Sequence, residues 1–369
     1  ADPAYPAGTG EVTVSTPPLA GAPSWPGQLR PVRIGSLSGL LDVRATVWTL
    51  VVALVALAVG FGALAVGSSG LGLDQVMAAL RGTADPATTR IVVEWRLSRV
   101  VFALLGGAAL AVGGAVFQAI TRNPLGSPDI VGFSTGAYTG ALLVALAGLN
   151  SALATSVGAL AGGLLTGVAV YGLAYRRGVT GSRVIVVGIG VSLFLGAFNT
   201  WVLTTMKLEQ AISAASWGAG SLNDIGWLQV WPLAIGLLLV LPVVLWLGAD
   251  LRALELGDDT GRGLGVPAEP VRATLLLAGI ALVALVTAAA GPIAFVALAA
   301  PQLALRATRT PGVRVLPSAA FGALLLVVGD LIARTIIAPA QLPVGVVTLC
   351  LGGGYLVWLL AGFGRKALQ

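Results

Sequence analysis

Ten apolar runs divide the chain, near residues 46–67, 98–119, 129–148, 152–175, 183–206, 228–249, 272–290, 292–308, 313–336 and 343–362. Each reaches or approaches the ~20 residues that a helix needs to cross a hydrocarbon core. The eighth is short and begins after Gly291-Pro292, and proline suits a first helical turn because its missing N–H has no partner there anyway. The pattern predicts an all-α, polytopic membrane protein of about ten helices over residues 45–369. Residues 1–44 are rich in Pro, Gly, Ser and Thr and lack apolar periodicity, so they read as a disordered cytoplasmic tail.

Three polar connections are long enough to carry structure of their own. Residues 68–95 include a short amphipathic stretch, Leu71 to Leu80, and residues 207–227 include Ala211 to Trp217 before a turn-rich segment. Residues 250–271 form the most charged part of the chain, with Leu251, Leu254, Leu256, Leu264 and Val266 set among Asp250, Arg252, Glu255, Asp258, Asp259, Arg262 and Glu269. Apolar anchors amid charges suit a partner-docking surface, although a solvated linker would read similarly. Gly261 and Gly263 should loosen any helix there.

The stretch from Gly106 to Gly140 is unusual. A Gly/Ala-rich run ends at Thr121-Arg122, the segment Asn123-Pro124-Leu125-Gly126-Ser127-Pro128 follows, and a second small-residue run starts near Asp129. Small residues let helices approach closely in lipid, and the prolines stop either helix from running through. Such a corner is tolerated at membrane depth only if protein buries it or it lines a cavity, which points to a transport pathway.

Composition narrows the function. The 369 residues are 57% hydrophobic and 10% charged, with mean hydropathy +0.94. There is no His and a single Cys, Cys350, which excludes a disulfide framework and removes the commonest metal ligand and general base. No metal site or catalytic residue is expected. The net charge is +6, but the basic residues are scattered between apolar runs, unlike a nucleic-acid surface. With the N-terminus inside and ten crossings, the outer segments hold only Arg81, Arg90, Arg96, Arg99, Lys207 and Arg334 of the 21 basic residues, so both termini are expected in the cytoplasm. The two lysines, Lys207 and Lys366, lie in no phosphate-binding loop. If ATP drives this protein, another polypeptide hydrolyses it.

Four motifs carry a resemblance. Arg96-Leu97-Ser98-Arg99, Gly107 to Ala111 and Gln118 through Asn123-Pro124-Leu125-Gly126-Ser127-Pro128 resemble R-L-P-R, G-A-A-L-A and Q-x-x-x-x-N-P-L-A-x-P of the FecCD-type permeases. These are the membrane subunits of bacterial ABC importers for iron–siderophores, haem and cobalamin. Leu256 to Pro267 is similar to the family's L-G-E-x-x-A-R-x-L-G-V-P loop, with Asp258 for Glu and Gly261 for Ala. Ala290 to Pro301 is similar to a third motif, although Gln302 stands where the family usually has His. Gly329 to Arg334, followed by Leu342 to Thr348, matches a fourth.

The resemblance implies the type II ABC importer permease fold, with two permease subunits, as a homodimer or paralogous pair, and a pathway along their interface in the bacterial cytoplasmic membrane. Two ATP-binding subunits, carrying ATP and Mg, and a periplasmic or lipid-anchored binding protein complete the system. Ferric siderophore is the favoured cargo; cobalamin or haem in the same role, or an ion-coupled secondary transporter, are the alternatives. By the same resemblance, Arg96, Arg99 and Arg334 receive acidic residues of the binding protein, against a reading of Arg96 and Arg99 as interfacial snorkelling. Asn123, Leu125, Thr180, Gly181 and Ser182 form the cytoplasmic gate, the last three doubling as a helix cap. Leu254, Leu256, Gly257, Asp258, Asp259, Arg262, Leu264 and Gly265 couple to the ATPase. Asp330 and Arg334, four apart, read as a structural ion pair.

Overall fold

A computed structural model describes residues 29–34, 37–67, 70–129, 132–149, 151–175, 181–310 and 312–367. It opens on an antiparallel hairpin of β1 (Leu29–Ile34) and β2 (Leu37–Asp42), with Leu29 opposite Asp42 and Ile34 opposite Leu37. This corrects the reading of 1–44 as one disordered tail; residues 1–28 lie outside the described residues. The local signal was Gly35-Ser36 between two apolar-rich runs, a two-residue hairpin spacing masked by the Pro- and Ser-rich composition of the wider window. The Asp42 carboxylate accepts from the Ala45 amide at 3.0 Å and caps the first long helix.

That helix, α1 (Val43–Ala65), is followed by α2 (Leu73–Leu80), α3 (Pro86–Thr89), a π-helical stretch (Arg90–Leu97) and α4 (Ser98–Thr121). Then come α5 (Phe133–Leu146), α6 (Ala152–Ala174), α7 (Gly181–Thr205), α8 (Leu208–Gly218) and α9 (Trp227–Trp246). Two short helices, α10 (Gly248–Glu255) and α11 (Asp258–Gly263), precede α12 (Ala268–Ala290), α13 (Val296–Thr308), α14 (Val315–Thr335) and α15 (Val344–Ala367). Beyond the hairpin, the fold is that of a helical, multi-pass membrane protein. Each of the ten expected spans is occupied chiefly by one helix, and among the described residues seven helical runs are long and apolar enough to cross a membrane by themselves.

Two expected spans differ in length. Helices α5 and α13 have 14 and 13 residues, which at 1.5 Å per residue reach only about 20 Å. Each follows a non-helical corner, 122–129 before α5 and 291–295 before α13. Glycine and proline at those corners end the regular hydrogen bonding early, so a stretch that is apolar throughout is helical over only part of its length.

Helix α4 is the axis. The most apolar window of its run is 78% buried, against 17% for α7 and for α9. It packs on α14, α12, α13 and α9, and glycine makes that approach possible. A Cβ on Gly107 would overlap the Gly322 carbonyl of α14, and one on Gly114 would overlap the Ala297 carbonyl of α13. Phe102, Leu110, Phe117, Leu275, Leu282 and Leu326 fill the space between. Large apolar side chains such as Leu193, Phe194, Leu228 and Trp246 point outward from α7 and α9, as a surface facing lipid or another subunit requires.

Candidate functional site

The candidate side chains collect at the two ends of α4, about 36 Å apart at the helical rise. At its start, Arg99 Nη2 lies 2.8 Å and Nε 2.9 Å from Asp330 Oδ1, and Arg334 Nη2 lies 3.0 Å from Asp330 Oδ2. Arg99 also donates to Gln341 Oε1 at 2.8 Å, and Arg96 donates to the Leu64 carbonyl at 2.7 Å. The three arginines border a cleft of about 1100 Å³ whose wall includes Trp95, Asp224, Gly226 and Pro339. Asp330 is 1% exposed. The Arg99 and Arg334 side chains are 9% and 6% exposed and turned onto internal partners, unlike a side chain reaching for the interface. The two-residue pair read from the sequence is a larger network, because Arg99 shares the same carboxylate.

At the far end of α4 the chain turns on Arg122, whose φ of 51° is left-handed. Its amide donates to Ala119 O at 3.2 Å, and the Asn123 amide donates to Gln118 O at 3.2 Å. The Asn123 carboxamide then accepts from the Leu125 amide at 2.9 Å, an Asx turn that fixes the corner. Leu125 is 39% exposed. Gly181 and Ser182 open α7, and Thr180 lies outside the described residues.

The charged connection folds against this corner. Leu251 and Leu254 of α10 are 2% and 3% exposed, while Leu256 and Leu264 are 70% and 65% exposed. Leu251 and Leu254 thus anchor the helix pair inward, while Leu256 and Leu264 face outward. Gly257, at φ 117°, makes the turn between α10 and α11, and Gly265, at φ 84°, ends the second. The Gly261 and Gly263 substitutions leave α11 intact over six residues. Asp258 Oδ1 lies 2.8 Å from Arg272 Nη2 and 3.4 Å from Arg122 Nη2. Arg262 reaches Asp259 at 3.6 Å and Glu269 at 3.9 Å. Glu255 accepts from the Val313 amide at 2.9 Å, and burial pushes its carboxyl above the usual glutamate range.

The sequence profile of the FecCD transport family matches residues 51–362. The chain belongs to that family. It is 46% identical over 307 residues to the ferric enterobactin transport system permease protein FepG of Escherichia coli (strain K12), covering 83% of this chain and 93% of that protein. It is 38% identical over 311 residues to the achromobactin transport system permease protein CbrC of Dickeya dadantii (strain 3937), covering 83% and 89%. Among solved structures, a metal-chelate type ABC transporter in an inward-facing conformation superposes with a TM-score of 0.75 at 24% identity, over 86% of this chain and 99% of that one. At that identity the likeness bears on the fold.

Departures of this FecCD-family chain from the motif pattern have visible counterparts. Gln302, where His is usual, donates to Gln118 Oε1 at 2.6 Å, and Gln118 donates to the Leu298 carbonyl at 2.9 Å. Two buried amides thereby satisfy each other between α4 and α13. Ser98, where Pro is usual, keeps an amide that donates to the Trp95 carbonyl, so the π-helical stretch runs into α4 without a break. The sequence reading missed Arg122, Arg272 and Gln341, which act through partners 136, 14 and 242 residues away, as well as Gln118–Gln302 and a buried Asn199 on α7 bonded to Thr139 of α5 at 2.7 Å. A polar residue inside an apolar run was the one local signal for the last two sets.

Proposed function

We propose that the chain is the membrane-spanning permease subunit of an ATP-binding-cassette importer that takes a ferric siderophore across the bacterial cytoplasmic membrane by alternating access. The observation that carries this reading is the helix pair α10–α11. It buries Leu251 and Leu254 and presents Leu256 and Leu264 outward, in a chain with no phosphate-binding loop. An exposed apolar knob rimmed by charge suits a cleft on a partner. Two ATP-binding subunits, with their ATP and Mg, would occupy that side, which the positive-inside count makes cytoplasmic along with both termini.

A second permease subunit, as a copy or a paralogue, would complete the pathway. At the other face, Arg99 and Arg334 share one buried aspartate, and with Arg96 they line an open cleft. The surplus positive charge suits acidic side chains of a binding protein, since guanidinium pairs with carboxylate bidentately. The iron arrives wrapped in its chelator, so the chain needs no metal ligands and no cofactor of its own. Its role is mechanical. Residues 123–125 and 180–182 open and close the inner end, and hydrolysis belongs to the partner.

Co-purification tests the reading. Replacing Leu256 and Leu264 together by Glu should abolish recovery of the ATP-binding subunits with the tagged permease while its own yield is kept. Undiminished recovery of those subunits contradicts the docking role.

A further inference from the structure

Asp258 joins three separate parts of the fold. It begins α11, its strong partner Arg272 is on the second turn of α12, and its weak partner Arg122 ends α4. Arg272 is 5% exposed and is also held by Glu269 at 3.0 Å, so that arm is shielded and short. The Arg122 arm is longer, at 3.4 Å, and the Arg122 side chain is 46% exposed. Arg122 is the residue at which the chain adopts a left-handed backbone and enters the Asx turn at 123–125. The hydrogen bonds of the helix end hold that backbone locally, and the Asp258 contact adds a tether from outside the helix.

We infer that Asp258 is a positioning residue whose carboxylate carries displacement of the α10–α11 pair into the 122–128 corner, with Arg272 as fixed pivot and Arg122 as the arm that is released and remade in each cycle. This rests on the permease reading above. A plain helix-start role does not account for the arrangement. A carboxylate in the first turn complements the helix dipole, but Asp259 supplies one next door, fully exposed and turned to Arg262. Asp258 alone points back to α4 and α12. The covalent route from α11 to the corner runs back through α10, α9 and the helices before them, whereas the ion pair spans 136 residues in one contact. Solvent-exposed pairs of this kind are individually weak, which suits a contact that must break and reform.

The test is import by the complete transporter in proteoliposomes, scored as chelate imported per ATP hydrolysed. Arg122→Gln should lower that ratio about fivefold or more, the smallest effect of a typical coupling between sites, and Arg122→Lys should restore most of it. Asp258→Asn should lower it further, because both arms are lost. Thermal unfolding of Arg122→Gln should match the unsubstituted protein, since a merely structural contact would shift unfolding and leave the ratio alone. If the unsubstituted complex imports on ATP and Arg122→Gln imports as much per ATP, this inference is wrong and the permease reading stands. If the unsubstituted complex imports nothing on ATP, the permease reading fails and takes this inference with it.

Discussion

Arg99 and Asp330 are 231 residues apart in sequence and 2.8 Å apart in space. Their contact fixes α4 to α14 at one end of the bundle, and Gly107 against Gly322 lets the same two helices touch along their length. Asp330 is also the only carboxylate bonded to Arg99 or Arg334 among the described residues. The account therefore makes unequal demands on the members of this network.

Replacing Asp330 by Asn leaves two buried guanidiniums without a counter-ion. Loss of one partner from a buried pair costs about 3–5 kcal/mol, so thermal unfolding in detergent should fall steeply. Arg334→Gln keeps the Arg99–Asp330 contact and should cost markedly less. Equal losses for the two variants would mean that the carboxylate is not shared.

Helix approach gives a steric prediction. Gly107→Val places carbons where the Gly322 carbonyl stands, and overpacking of this kind costs about 1–3 kcal/mol or displaces the helix. Gly62 on α1 has open space around it, so Gly62→Val should leave the unfolding temperature nearly unchanged.

The glutamine pair makes a third test. Gln302→Leu leaves Gln118 with an unanswered acceptor inside the bundle, a loss of about 1–3 kcal/mol. A double-mutant cycle with Gln118→Leu should return a coupling of about 0.5 kcal/mol or more. Strict additivity would show that the 2.6 Å contact contributes nothing.

Glu255 gives a pH dependence. Burial raises its carboxyl above the ordinary value of 4.5. Between that value and the folded one, the folded protein keeps a proton that the unfolded chain has lost. Glu255 therefore favours the fold toward the acidic side of the window and ceases to do so as pH rises through the folded value. Unfolding measured from pH 4 upward (about half-unit steps suffice) should show this slope, and Glu255→Gln should flatten it. A slope unchanged in the variant would assign the titration to another group.

The sequence made the helices legible and left their ends and cross-links hidden. Apolar run length located every large helix because lipid demands it. It overestimated α5 and α13 because hydropathy does not register that a Gly/Pro corner consumes part of an apolar run. It found Asp330–Arg334 because four-residue spacing is a local signal. Arg99, Gln341, Arg122 and Arg272 were beyond local reading, since their partners come from other helices. The inward burial of Leu254 was not legible either, because periodicity in an eight-residue helix does not say which face meets the protein. The hairpin at 29–42 was lost to the average composition of its surroundings.

Reconstitution tests the central claim most directly. Purified chain should be placed in vesicles with its binding protein and a radioiron-labelled siderophore, with and without the ATP-binding subunits and ATP. The account predicts uphill accumulation only when subunits and ATP are both present, and none from the chain alone under any ion gradient. Uphill accumulation by the chain alone, driven by protons or sodium, would contradict it.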